Sequence, residues 1–81
     1  MSAIASTPIV KVQTLNGFTA DQRVTATDVE AHPPKVYSGT ISSVWTDGSA
    51  IVRWDPGFTS EAQRHLVKNG NVDLHHLRRL S

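Results

Sequence analysis

Val36-Tyr37-Ser38-Gly39-Thr40-Ile41-Ser42-Ser43-Val44-Trp45, then Thr46-Asp47-Gly48-Ser49, then Ala50-Ile51-Val52-Arg53-Trp54 is the stretch that decides the fold. Two runs rich in β-branched and aromatic residues flank an Asp-Gly turn signal, which predicts a hairpin. Gly39, inside the longer run, predicts a bulge or bend of the kind small barrels need to close. Strict alternation puts Tyr37, Gly39, Ile41, Ser43 and Trp45 on one face of the first strand. On the second strand it puts Val52 and Trp54 together on the inward face. Trp45, beside the turn, is open to two readings, an exposed contact residue or a cap on the core. Asp55-Pro56-Gly57 ends the ribbon.

Upstream, Arg23-Val24-Thr25-Ala26-Thr27 predicts a strand with Val24 and Ala26 on one face. A loop around His32-Pro33-Pro34 follows it. Ile9–Leu15 predicts an edge strand, closed by an Asn16-Gly17 turn that needs positive φ. Residues 1–7 read as a loose tail. Downstream, Thr59–Lys68 has two readings. Ser60 and Gln63 form a capping box for a short helix, whereas Asn69-Gly70 suits a hairpin between Arg64–Val67 and Val72–Leu74. The helix has the better residue preferences. The chain then offers a strand at Val72–Leu74, a 3₁₀ turn at His75–Leu77 and a last strand at Arg78–Leu80.

Length and composition narrow the field. At 81 residues there is room for one core, and so small a domain leaves much of its surface exposed. There is no cysteine, which excludes disulfides, thiolate metal sites and cysteine nucleophiles. Eight Lys and Arg against seven Asp and Glu give a net charge of +1, too little for a strong long-range field. No apolar run is long enough to span a bilayer, and no leader pattern opens the chain. An intracellular setting, cytoplasmic or nuclear, is the expectation. Five or six short strands in so short a chain favour a closed or half-closed barrel, which leaves few unpaired edges.

Tyr37-Ser38-Gly39-Thr40-Ile41 resembles the second strand of a Tudor-like (SH3-like) barrel. Ile51-Val52-Arg53-Trp54-Asp55 resembles that family's aliphatic strand, which ends on an aromatic and an acidic residue. The stretch from Val72 to Leu80 is similar to its closing strand, 3₁₀ turn and last strand. The resemblance covers about Asp21 to Leu80. It implies an all-β fold: a small five-stranded SH3-like (Tudor-like) barrel over residues 18–81. Residues 1–17 form a tail and an N-terminal extension strand, and a short helix or hairpin is inserted at about 59–68. It also places Tyr37, Trp54 and Phe58 at three positions of the aromatic cage with which some members hold methylated Lys or Arg by cation–π attraction. Thr27-Asp28-Val29-Glu30 carries no aromatic where the family often has one, and Pro56 stands where a carboxylate usually follows. What the resemblance implies is therefore a partial pocket.

The leading expectation is a non-enzymatic module without cofactor. It binds a peptide or protein surface, methylated or not, through Tyr37, Trp45, Trp54 and Phe58, with Asp55 as a polar anchor. Ile9–Leu15 is the candidate for pairing with a second copy. A second expectation, from another class, is a nucleic-acid-binding accessory protein using Lys35, Arg53, Arg64, Lys68, Arg78 and Arg79. From Ala62 onward four Lys and Arg face one Asp, and up to Glu61 four face six acids. A third is a small phage or plasmid protein that modulates a host complex. His65, His75 and His76 with Asp73 lack a spacing that brings zinc ligands together, because neighbours on an extended chain point apart. Small SH3-like dihydrofolate reductases carry Val-Gln-Ile-Tyr where Val72-Asp73-Leu74-His75 lies. The ligand-contacting Gln and Tyr are absent, so that activity is not expected.

Overall fold

A computed structural model describes residues 8–80; the tail expected at residues 1–7 lies outside it. In chain order it contains β1 (Lys11–Val12), β2 (Thr14–Leu15), β3 (Phe18–Thr19), β4 (Arg23–Asp28), β5 (Lys35–Trp45) and β6 (Ser49–Trp54). Helix α1 (Ser60–Leu66), β7 (Val67–Lys68), β8 (Asn71–Asp73), a 3₁₀ turn (Leu74–His76) and β9 (Leu77–Arg79) follow. The main sheet runs β7-β8-β6-β5-β4-β9, with β1 added beside β5, while β2 and β3 form a separate hairpin. Every pairing is antiparallel. The result is a small all-β domain whose sheet curls into a half-barrel.

β5 organises this arrangement. Along one edge it pairs with β4 from Lys35 to Thr40, and further on with β1, Val12 opposite Val44. Along the other edge it pairs with β6. Gly39 sits in register between Val24 and Trp54. A Cβ added there would lie 2.7 Å from Val52 Cγ1 and 2.8 Å from the Arg53 carbonyl oxygen. Glycine is thus required by the close approach of β6, and the bulge expected at this position lies elsewhere. The register shifts between Ile41 and Ser43, so the unpaired residue is Ser42.

That displacement changes which side chains enter the core. An extra residue reverses the alternation beyond it. Val44 is completely buried, whereas Trp45 stays on the side of Ser43 and donates its Nε1–H to Ser43 Oγ at 2.9 Å. Alternation without the bulge had grouped Trp45 with Ile41. β4 follows its expected pattern, with Val24 and Ala26 buried and Arg23 exposed, and it carries one more inward residue, Asp28. Val24, Ala26, Ile41, Val44, Ala50, Val52, Leu66, Val72, Leu74 and Leu77 make up the core.

Both readings of Thr59–Lys68 are realised in succession. α1 occupies Ser60–Leu66, and β7 then turns through Asn69-Gly70 into β8. Asn69 and Gly70 have φ of 55° and 83°, close to the 53° and 84° of Asn16 and Gly17 in the β2–β3 turn. Both pairs have the handedness of tight hairpin turns. The helix cap is Thr59, one residue before the expected Ser60, and its Oγ1 accepts from the Ala62 N–H at 3.0 Å. Ala62 and Leu66, one turn apart, are buried, so α1 lays an apolar stripe on the curled sheet. The closing elements each begin one residue earlier than expected. The Asp73 carboxylate accepts from the His75 N–H at 2.9 Å and starts the 3₁₀ turn there. The extension strand expected over Ile9–Leu15 breaks at Gln13, β1 joining β5 and β2 joining β3.

Candidate functional site

Three of the four expected rings meet. Tyr37 comes from the inward face of β5, Trp54 from the end of β6, and Phe58 from the loop that Asp55-Pro56-Gly57 opens. Trp54 and Phe58 stack with centroids 4.1 Å apart and planes 1° from parallel. Tyr37 meets Phe58 edge-on at 5.1 Å. All three are half-buried and pack against the core. Val52 and Trp54 share the inward face, as the alternation predicts. Trp45 stands eight residues further along β5, roughly 25 Å at the usual strand rise, and does not join the cluster.

The stacking limits what the rings can hold. A cation gripped between two aromatic faces must fit between them, and Trp54 and Phe58 are already in contact. What remains is an open cleft of about 350 Å³ beside Tyr37, walled by Val36, Ser38, Asp55, Pro56 and Gly57. Val36 is 63% exposed there. Asp55 is taken up by Arg23, whose Nη1–H donates to Oδ1 at 2.8 Å while Nη2–H donates to Oδ2. That fork holds the Asp55 carboxyl below its ordinary range, the hydrogen bond being the main cause, and raises the guanidinium in turn. Arg23 also donates to Thr40 Oγ1 at 3.1 Å. Sequence reasoning missed Arg23, because its partner lies 32 residues away and only the strand register brings them together.

A second pair was also invisible. Asp28 ends β4 pointing inward with 1% exposure. His65 of α1 places Nδ1 2.9 Å from both Asp28 oxygens, and the Glu30 N–H donates to Oδ1 at 3.1 Å. Burial, the largest influence on Asp28, pushes its carboxyl up. The hydrogen bonds from His65 and from the Glu30 and Ala31 N–H groups outweigh it, leaving the group below its ordinary range. His65 is raised, chiefly by the hydrogen bond to Asp28, against an opposing effect of burial; the charges of Asp28, Glu30 and Glu61 add to the rise. The pair pins α1 to β4. His65 also borders a polar cleft of about 390 Å³ with Ser49, Asn71 and His76, where Asn71 Nδ2–H donates to Ser49 Oγ at 2.9 Å.

The six basic residues do not form one strip. Lys35 opens β5, Arg53 lies on β6, Arg64 on α1 and Lys68 on β7, while Arg78 and Arg79 lie on β9. β7 and β9 stand at opposite ends of the strand order. Arg79 turns toward the β2–β3 hairpin, where Nη1–H donates to the Gly17 carbonyl at 3.4 Å and the guanidinium lies 6.0 Å from the Phe18 ring centroid. Arg53 and Arg78 share the outward sheet face with Arg23, through the registers Arg23–Thr40–Arg53 and Arg78–Thr25–Ser38. Among the described residues, no three His, Asp or Glu side chains lie close enough to hold a metal ion. No helix among them is long and apolar enough to cross a membrane. No protein-family model matches the chain, and neither a curated protein nor a solved structure proved similar to it.

Proposed function

We propose that the domain is a five-stranded Tudor-like (SH3-like) barrel that acts as a non-enzymatic protein-binding module. The strand order β8-β6-β5-β4-β9 supports the barrel reading, together with the single 3₁₀ turn joining β8 to β9. The binding reading rests on one observation: an open cleft flanked by Tyr37, with exposed Val36 and Pro56 on its walls and Trp54 stacked on Phe58 behind. An exposed aromatic edge beside small apolar residues suits an extended peptide, whose backbone is already stretched and loses little freedom on docking.

NMR titration with a peptide library tests the reading. Amide shifts should concentrate at residues 36–38 and 55–57. Tyr37→Ala and Val36→Ser should each weaken binding, the second without altering the melting temperature because Val36 is exposed. Shifts confined to other faces, or affinity indifferent to both substitutions, would refute it.

A further inference from the structure

We propose that the partner of this cleft is an acidic peptide segment. The inference rests on reading the cleft as a peptide site and specifies the chemistry of its ligand. Three observations lead to it. The rings that would grip a cation are stacked on each other at 4.1 Å. The carboxylate in the cleft wall, Asp55, is already neutralised by the Arg23 fork. The sheet face that continues from the wall carries Arg53 and Arg78, which make no ion pair among the described residues.

The spacing fits an extended chain. Val36 and Ser38 line the cleft and belong to the outward face of β5. One cross-strand row is Arg78–Thr25–Ser38, and the next is Arg23–Thr40–Arg53. The rows are two residues apart along the strands, roughly 7 Å, and Arg78 on β9 and Arg53 on β6 are three strands apart across the sheet, roughly 14 Å. Carboxylates about four to six residues apart on an extended peptide that crosses the face obliquely would reach both guanidinium groups, with the hydroxyls of Thr25, Ser38 and Thr40 donating between them. A polyphosphate chain is less well matched. The whole molecule carries a net charge of only +1, whereas nucleic-acid affinity grows with the number of phosphates neutralised.

Fluorescence anisotropy with labelled probes of equal length decides the matter. The probes are a peptide alternating Glu with apolar residues, its Gln counterpart, a trimethyl-lysine counterpart, and a short DNA duplex. The Glu peptide should bind at least about tenfold more tightly than the trimethyl-lysine peptide, and raising salt should narrow the gap. Arg53→Gln and Arg78→Gln should each weaken the Glu peptide about three- to tenfold, with melting temperature unchanged and the Gln peptide unaffected. Tighter binding of the trimethyl-lysine peptide that still depends on Tyr37 overturns the acidic assignment while leaving the peptide site standing. Failure of every peptide removes both. DNA bound more tightly than the Glu peptide, through Arg53 and Arg78, also overturns the proposal.

Discussion

Gly39→Ala is the most informative single change to the fold. The added methyl would sit 2.7 Å from Val52 Cγ1, 2.8 Å from the Arg53 carbonyl oxygen and 3.2 Å from Trp54 Cα. The Val52 methyl has some room to rotate away. The other two atoms are backbone of β6, held by the Thr40–Arg53 pair on one side of Gly39 and by the Asp55 N–H donating to the Ser38 carbonyl at 3.0 Å on the other. Overpacking of a well-ordered interior costs about 1–3 kcal/mol, and a clash with fixed backbone belongs toward the upper end. A chain this size has a total stability of roughly 4–12 kcal/mol, so a loss of about 2–3 kcal/mol lowers the melting temperature by roughly 10–20 °C. Urea unfolding followed by tryptophan fluorescence and far-ultraviolet circular dichroism measures it. Val52→Ala alone should cost about 1–3 kcal/mol. Combined with Gly39→Ala it should cost less than the two together, by about 0.5 kcal/mol or more, because one of the two closest contacts has gone. Gly39→Ala within about 0.5 kcal/mol of the parent, or strict additivity in the double variant, would refute this account of the β5–β6 crossing.

The Asp28–His65 pair makes stability depend on pH in a defined direction. His65 is raised on folding, so its contribution is complete below about pH 6.5 and is lost as pH climbs through its folded value; Asp28 is lowered, so its share disappears in acid. Urea midpoints should fall on both flanks, and His65→Ala should flatten the alkaline one; an unchanged alkaline slope would contradict the pairing. Deleting Ser42 removes the unpaired residue and leaves Val44 facing inward and Trp45 outward, whereas deleting Val44 would bring Trp45 into its core position. Thermal melting should show the Ser42 deletion costing far less stability than the Val44 deletion, and equal or reversed losses would show the register to be wrong. Thr59→Ala removes the helix cap and should cost about 1 kcal/mol, whereas Ser60→Ala should cost much less; the reverse order in urea titrations would place the cap at Ser60.

What the chain announced in advance was its local chemistry. Asn16-Gly17 and Asn69-Gly70 identify their turns because few other residues accept positive φ. Val52 and Trp54 identify the inward face of β6 by alternation. The hidden features were those that depend on distant partners or on choices between equivalent residues. Ser42 and Ser43 are identical side chains, so nothing local marks which one is unpaired. Thr59 and Ser60 are both good caps. Asp28 looks like a loop residue until His65, 37 positions later, arrives to satisfy it. Of the proposed site, Tyr37, Trp54 and Phe58 could be found from their pattern. The occupation of Asp55 by Arg23 could not, and it changes what the cleft favours.

The short β1 strand has a role out of proportion to its two residues. β4 pairs with β5 as far as Thr40, and Ile41 exchanges backbone hydrogen bonds with Asp21 and Gln22, so that the end of the long strand beyond Ile41 would be left with open amide and carbonyl groups. Lys11 and Val12 cover them, and the Thr46 N–H donates to the Val10 carbonyl at 2.9 Å just beyond. The leading segment therefore works as a selvedge, finishing a margin that another molecule's strand would otherwise be free to extend. Two residues, of which only Val12 touches the core, thus close the margin of the longest strand.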